Sequence, residues 1–169
     1  MILELQTEDE LILHKPTIEV KEITDITRVF INNLLKTMRK HKGVGLAASQ
    51  VGSELRIAVV EDKKLLSHPL VMINPRITDL SIEQEDACEG CLSIPKKGFV
   101  VRRAKWVIFE YTDKNGKLKT LKAKNLLARI ILHEFDHLLG MTIRDRAEEV
   151  EAERGFANSV IDKDKLWID

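Results

Sequence analysis

The stretch that most constrains this chain is Asn125 to Gly140. Leu126, Leu127, Ile130, Ile131, Phe135, Leu138 and Leu139 fill nearly every side of a helix that also carries His133-Glu134-Phe135-Asp136-His137. A helix that is apolar almost all round must be buried, so the rest of the chain has to supply layers that cover it. Ionisable side chains on such a helix are costly to bury unpaired. His133 and His137 lie four apart on one face with Glu134 beside them, a spacing that lets two imidazoles reach one metal ion next to a carboxylate base. The plainer alternative is a pair of buried histidines satisfied by hydrogen bonds. Gly140 stands where the helix would stop in the left-handed conformation.

The covering layers are legible in outline. Thr24 to His41 carries an apolar stripe of Ile26, Val29, Phe30, Ile31, Leu34, Leu35 and Met38, with Thr24 or Asp25 placed to cap its start. Leu55 to Val60 and Leu70 to Ile73 are short, β-branched segments that read as strands. Trp106 to Thr112 and Lys117 to Lys122 flank Asp113-Lys114-Asn115-Gly116, a hairpin in which Asn-Gly supplies residues that tolerate positive φ. Strand follows strand without an intervening helix, which favours antiparallel pairing. Ala147 to Asp169 is expected to be a third helix with a frayed end. The fold class expected is therefore α+β: antiparallel or mixed β-sheets packed around the central helix, with an N-terminal and a C-terminal helix. At 169 residues the chain is expected to form a single catalytic domain over 1–169, with 147–169 as a helical tail.

Three protein ligands and one open position are the usual layout of a catalytic metal site, so the third ligand decides the reading. Cys91 and Cys88 are candidates, as are Glu149, Glu151 and Glu153 of the tail. A closed site of both cysteines and both histidines would be structural. The 41 residues between Cys91 and His133 are far more than a small zinc finger uses, and a chain of this size has no need of a metal staple. The N-terminus has neither a basic region nor a long apolar run of the secretory kind, and no segment approaches membrane-spanning length. A soluble, reducing compartment is expected, which turns the two cysteines toward metal binding or catalysis.

Gly43-Val44-Gly45-Leu46-Ala47-Ala48-Ser49-Gln50-Val51-Gly52 could be mistaken for a dinucleotide-binding loop, but such a loop needs a strand before it and a helix precedes this one. Small residues instead let backbone approach a ligand, and Gln50 offers an amide donor suited to a developing oxyanion or, more plainly, a turn hydrogen bond. Taken together, Gly43 to Gln50, Glu89-Gly90-Cys91-Leu92-Ser93 and His133 to Gly140 resemble, in order and spacing, the three motifs of the peptide deformylases. The resemblance extends from about Glu22 to Asp145-Arg146.

That resemblance implies removal of the formyl group from N-formylmethionine at the start of nascent polypeptides, in the cytoplasm or, in a eukaryote, in an organelle. It makes Cys91, His133 and His137 the ligands of one divalent metal, Fe2+ in the cell and replaceable by Zn2+, Ni2+ or Co2+. A metal-activated water attacks, with Glu134 as general base and then acid. Gln50 and the backbone N–H of Leu92 become oxyanion donors and Gly45 a main-chain contact for the peptide. Val44, Leu126 and Ile130 are candidates for the methionine slot, with core packing as the alternative for each. Arg103 is expected to pair with Asp136 or Glu89 behind the ligands.

The chain departs from the family pattern in several places. Leu132 stands where a glutamine is usual, Gly98 where some members place an arginine near the substrate, and Thr7 to Leu13 fills the place of a Pro-Asp-Pro-like arm. Arg129 falls among the pocket residues, and Cys88 is an additional thiol whose disulfide with Cys91 would disarm the site. The alternatives are a zinc peptidase with its third ligand in the tail and a non-catalytic, metal-stabilised binding module. The 27 Lys and Arg against 27 Asp and Glu exclude a dedicated nucleic-acid binder, and neither DNA nor membrane is an expected partner. The balance conceals a split, because Lys96 to Lys124 holds ten basic residues and two acids whereas Ala147 to Asp169 holds seven acids and three bases. The 96–124 region is thus a candidate for transient ribosome contact.

Overall fold

The chain's first helix, α1 (Asp25–Lys40), starts from a reciprocal cap. The Thr24 hydroxyl accepts from the Thr27 N–H and the Thr27 hydroxyl accepts from the Thr24 N–H, each at 3.3 Å, which satisfies two donors that a helix start otherwise leaves orphaned. The helix buries Ile31, Leu34 and Met38, while Ile26 and Val29, counted in the same stripe, face solvent. This computed structural model describes residues 1–154. After α1 come strands β1 (Gly45–Ala47), β2 (Ile57–Val60), β3 (Leu70–Leu80), β4 (Gln84–Cys91), β5 (Ile94–Ala104), β6 (Trp106–Thr112) and β7 (Leu118–Lys124), then helices α2 (Asn125–Leu138) and α3 (Ile143–Arg154). No helix among the described residues is long and apolar enough to cross a membrane.

Five strands form one sheet in the order β1-β2-β3-β6-β7, and β4 and β5 form a separate ribbon; every pairing within them is antiparallel. The alternation of β2 shows how the layers are built. Ala58 and Val60 join Met72, Val107, Phe109, Ile130, Ile131, Phe135 and Leu138 on the α2 side, whereas Ile57 and Val59 join Ile31, Leu34, Met38, Val71 and Ile73 on the α1 side. The large sheet is thus covered on both faces. Residues Ala128 to Leu138 are all buried, as an all-round apolar helix requires, and each large aliphatic side chain so enclosed contributes about 1.5–3 kcal/mol.

The end of α2 is fixed tightly. Gly140 adopts φ +78°, and a Cβ there would lie 2.6 Å from the Lys15 carbonyl carbon. The Met141 N–H donates to the Asp136 carbonyl at 2.9 Å and the Gly140 N–H to that of His137 at 3.3 Å, while the Thr17 N–H and hydroxyl both donate to the Leu138 carbonyl. The last carbonyls of the ligand-bearing helix are therefore all engaged.

Several local expectations change. Asn74-Pro75 reads as the end of a strand at Ile73, yet β3 runs on to Leu80 through irregular register between Ile73 and Arg76. Asn74 takes φ +50° and its amide is bound on both sides by the Val20 backbone at 2.8 Å, so the turn signal is absorbed as a bulge. In the β6–β7 hairpin only Gly116 has positive φ, at +82°; the Gly116 N–H donates to the Asp113 carbonyl and the Asp113 N–H to that of Lys117, a three-residue loop instead of an Asn-Gly pair. The third helix begins at Ile143, four residues before Ala147, and the 155–169 part of the expected tail lies outside the described residues. Strands β4 and β5 were not expected at all.

Candidate metal centre

The β4–β5 ribbon brings Cys91 to the inner face of α2. Glu89 and Cys91 are two apart on a strand, so both project toward the helix, and both meet its histidines. Cys91 Sγ lies 3.2 Å from His137 Nε2, and the ligand atoms of Cys91, His133 and His137 all lie within 4.8 Å of one another. Donors around a tetrahedral ion with bonds of about 2.0–2.3 Å sit roughly 3.3–3.8 Å apart, so small adjustments close the set. One thiolate with two imidazoles suits a borderline-soft divalent ion. The three side chains form a metal-binding group. Of the tail acids, Glu149 turns to Arg146 at 3.3 Å.

Electrostatics agree with that fit. Burial opposes the Cys91 thiolate, but His137 and His133 overrule it and hold the thiol at about 5. Burial likewise opposes a charged His133, yet Cys91 and Glu89 hold it well above its ordinary value. The pocket therefore draws positive charge onto the imidazole, which a divalent ion would replace as it displaced the proton. The His133 Nδ1 bonds Glu89 Oε2 at 3.0 Å, which directs Nε2 toward the ligand set.

Behind the ligands, Glu89 is wholly enclosed. Arg103 donates to it twice, from Nε and Nη2 at 2.9 Å each, and also grips Asp136 through Nη1. Arg146 donates to Asp136 at 2.7 and 3.1 Å. Burial raises the Glu89 carboxyl, but the Arg103 guanidinium and His133 outweigh it and hold it well below the usual carboxylate range. Arg129 corrects the sequence reading: it does not line the pocket. It turns to Glu89 Oε1 at 2.8 Å and to the carbonyls of Val101 and Glu85 at 2.9 and 2.7 Å. Its signal was available, since an arginine one turn before His133 on so apolar a helix needs a buried carboxylate.

On the open side, Glu134 is 3% exposed and its Oε2 has no hydrogen-bond partner among the described residues. Burial pushes its carboxyl up to about 7, with Cys91 adding to the rise and the histidines opposing it. Its other oxygen lies against Gly45, where a Cβ would come within 2.2 Å. Glycine is needed there for close approach. The side-chain oxygen Gln50 Oε1 accepts from the Ala47 N–H at 2.9 Å, a turn bond, and this aims the amide nitrogen Nε2 at Cys91 Sγ and Ser93 Oγ at 3.4 and 3.3 Å. Buried Ser93 was not anticipated. Leu92 follows Cys91 in the tight turn between β4 and β5. The N-terminal arm holds both parts, through Gln6 N–H to the Gln50 carbonyl at 2.8 Å and Glu8 N–H to that of Ser93 at 3.0 Å.

Val44, Leu126 and Ile130 gather in one apolar cluster, with Ile130 fully buried and the other two partly open. Leu132 is buried in that cluster, and Gly98 faces Gly90 across the ribbon. Cys88 and Cys91 are both free. Three residues of extended strand separate Cα atoms by about 10 Å, beyond the roughly 7 Å that a disulfide spans, so their pairing would require β4 to break.

A thiolate, two imidazoles and an unpaired buried carboxylate on an HExxH helix define a mononuclear metal hydrolase. Comparison with known proteins narrows the class. Residues 2–153 match the family model described as polypeptide deformylase. A peptide deformylase of Dictyoglomus thermophilum is 42% identical over 149 residues, covering 88% of this chain and 95% of its own. The structure superposes on a Synechococcus elongatus peptide deformylase in complex with actinonin with a TM-score of 0.82, at 39% identity over 92% of this chain and 87% of that one. An Acinetobacter baumannii peptide deformylase with Met-Ala-Ser bound gives 0.82 at 29% identity, over 86% and 98%. The chain belongs to the peptide deformylase family and is a deformylase enzyme.

Proposed function

We propose that residues 1–169 act as one catalytic domain that hydrolyses the formyl group of N-formylmethionine at the start of nascent polypeptides, with Fe2+ on Cys91, His133 and His137 in the cell and a cytoplasmic location. The observation that carries this reading is Glu134: a carboxylate buried beside a three-ligand set, with an oxygen left unpaired and its pKa pushed up to about 7. A resting structural group would be paired; one poised near neutrality suits a base that becomes an acid.

When bound, the ion acidifies water and polarises the formyl carbonyl. Glu134 takes the proton from the attacking water and passes it to the departing amine, so that the C–N bond breaks to give formate and a free amino terminus. As the carbonyl carbon becomes tetrahedral, the Gln50 amide and the Leu92 N–H donate to its oxygen, where charge is greatest in the transition state. Gly45 leaves room for the peptide main chain beside Glu134, and Val44, Leu126 and Ile130 supply apolar surface for methionine. The Acinetobacter relative with Met-Ala-Ser bound supports a peptide in this cleft.

The basic 96–124 region, whose β6–β7 hairpin displays Lys117 and Lys119, is the surface for transient ribosome contact. Negligible, salt-independent ribosome binding would contradict that part. For the reaction, anaerobically purified protein should release formate from formyl-Met-Ala-Ser, and Cys91→Ser should lose both metal and turnover. No turnover at full metal content would overturn the reading.

A further inference from the structure

We propose that this enzyme has a carboxylate-accepting subsite beside its metal centre, which selects nascent chains carrying glutamate at one of the two positions after the formylmethionine. The proposal rests on the deformylase reading and deepens it. A cavity of about 310 Å³ opens directly against Cys91 and Leu92. Its walls are of two kinds. Leu5, Leu92 and Ile94 supply apolar surface, and Lys42, Lys96 and Lys97 supply cations; among the described residues no Asp or Glu lines it. An apolar stem ending in a carboxylate, which is the shape of a glutamate side chain, matches both.

A second observation points to the same place. Lys42 and Lys96 hold φ +59° and +66°, two of only four non-glycine residues in the described chain with positive φ. Lysine rarely adopts that conformation, and such residues collect where a structure serves a ligand. Both strained residues border this one cavity, on opposite segments: Lys42 on the turn after α1 and Lys96 within β5. The two segments touch, since a Cβ on Gly43 would come 2.7 Å from Leu92 Cδ1. Among the described residues neither lysine has an ion-pair partner. Lys97 has one, Glu8 at 3.7 Å, and Glu8 is itself held by both donors of Arg144 at 2.9 Å. The field in the cavity is therefore positive, with Lys42 and Lys96 uncommitted.

The apolar cluster of Val44, Leu126 and Ile130 contributes no residue to this cavity. The cavity instead borders the reacting centre itself, at the ligand Cys91 and the oxyanion donor Leu92, so a chain with its methionine on the cluster has a separate, charged space open to a later residue. That residue does not react, so its contact is equal in ground and transition states and should lower KM with little change in kcat.

The test compares C-terminally amidated formyl-Met-Glu-Ser, formyl-Met-Ala-Glu and their Gln counterparts, with formyl-Met-Ala-Ser as free acid and as amide. At low salt one Glu peptide should show a KM about 3- to 10-fold below its Gln counterpart, the scale expected of a few partly exposed charges. That advantage should disappear near 0.5 M salt, where screening falls to about 4 Å. The double variant Lys42→Asn/Lys96→Asn removes both charges while keeping a residue type that accepts positive φ, and it should abolish the Glu-to-Gln difference. Should that variant fold poorly, the salt titration of the wild-type protein decides alone. Equal KM values for Glu and Gln peptides at low salt, or a difference that persists in salt or in the double variant, would overturn the proposal. So would a gain confined to the free-acid tripeptide, which assigns the cavity to a chain-terminal carboxylate. Failure to turn over any of the peptides would instead count against the deformylase reading.

Discussion

The two sides of helix α2 are satisfied to opposite degrees. On the side facing β5, Glu89 and Asp136 share three arginines and a histidine, and each carboxylate accepts at least three hydrogen bonds. On the other side Glu134, which lies against Gly45, and the ligand His137 each keep a buried polar atom without a partner among the described residues. Both sides are desolvated, so burial is not what separates them. The difference is partnership: the saturated side orients the ligands, and the unsaturated side retains capacity for an ion, water and substrate.

The contrast can be broken most forcefully at its saturated side. Arg103→Ala leaves Glu89 and Asp136 each short of a buried cation, which should cost about 3–5 kcal/mol. In a protein of this size that lowers Tm by roughly 6–20 °C in a thermal melt. A wild-type melting temperature would show that the network is not what holds α2 in place. On the unsaturated side, Gln50→Ala should leave metal content near wild type and cost only about 1–3 kcal/mol for an orphaned Ala47 N–H, yet reduce kcat by about 10²–10³-fold, the loss typical of one oxyanion donor. A matched fall in metal content would move Gln50 into the orienting group, which its 3.4 Å contact with Cys91 Sγ makes a fair challenge. The smallest effect belongs to neither side. Thr24→Ala removes the α1 cap and should cost about 1 kcal/mol, with kcat unchanged in the same formate assay.

The sequence exposed the unsaturated side more readily than the saturated one, for a physical reason. His133, Glu134 and His137 sit at helical spacing within a single apolar stretch, so local pattern was enough to find them, whereas the roles of Cys91 and Gln50 came from the resemblance of their short motifs to those of the peptide deformylases. Strand β4 escaped because the side chain it buries deepest is a charge, Glu89, and β5 because its apolar run of Phe99, Val100 and Val101 is short and followed by Arg102 and Arg103. Gln84-Glu85-Asp86-Ala87-Cys88-Glu89 reads as a solvated loop until Arg103, fourteen residues on, and Arg129, forty residues on, are known to reach Glu89. Hydrophobic periodicity cannot report a strand whose buried face is satisfied by ion pairs. Arg129 was misplaced for the same reason. The bulge at Asn74-Pro75 shows the converse, a local turn signal overruled by tertiary bonds to Val20.

Glu134→Gln tests the division most directly, with metal content, Tm and formate release measured on one anaerobic preparation. The variant should keep a full metal complement and a Tm at or above that of wild type, because an unpaired buried acid is gone, with kcat lower by about 10²–10⁴-fold. Near wild-type turnover by the fully metallated variant would contradict that division.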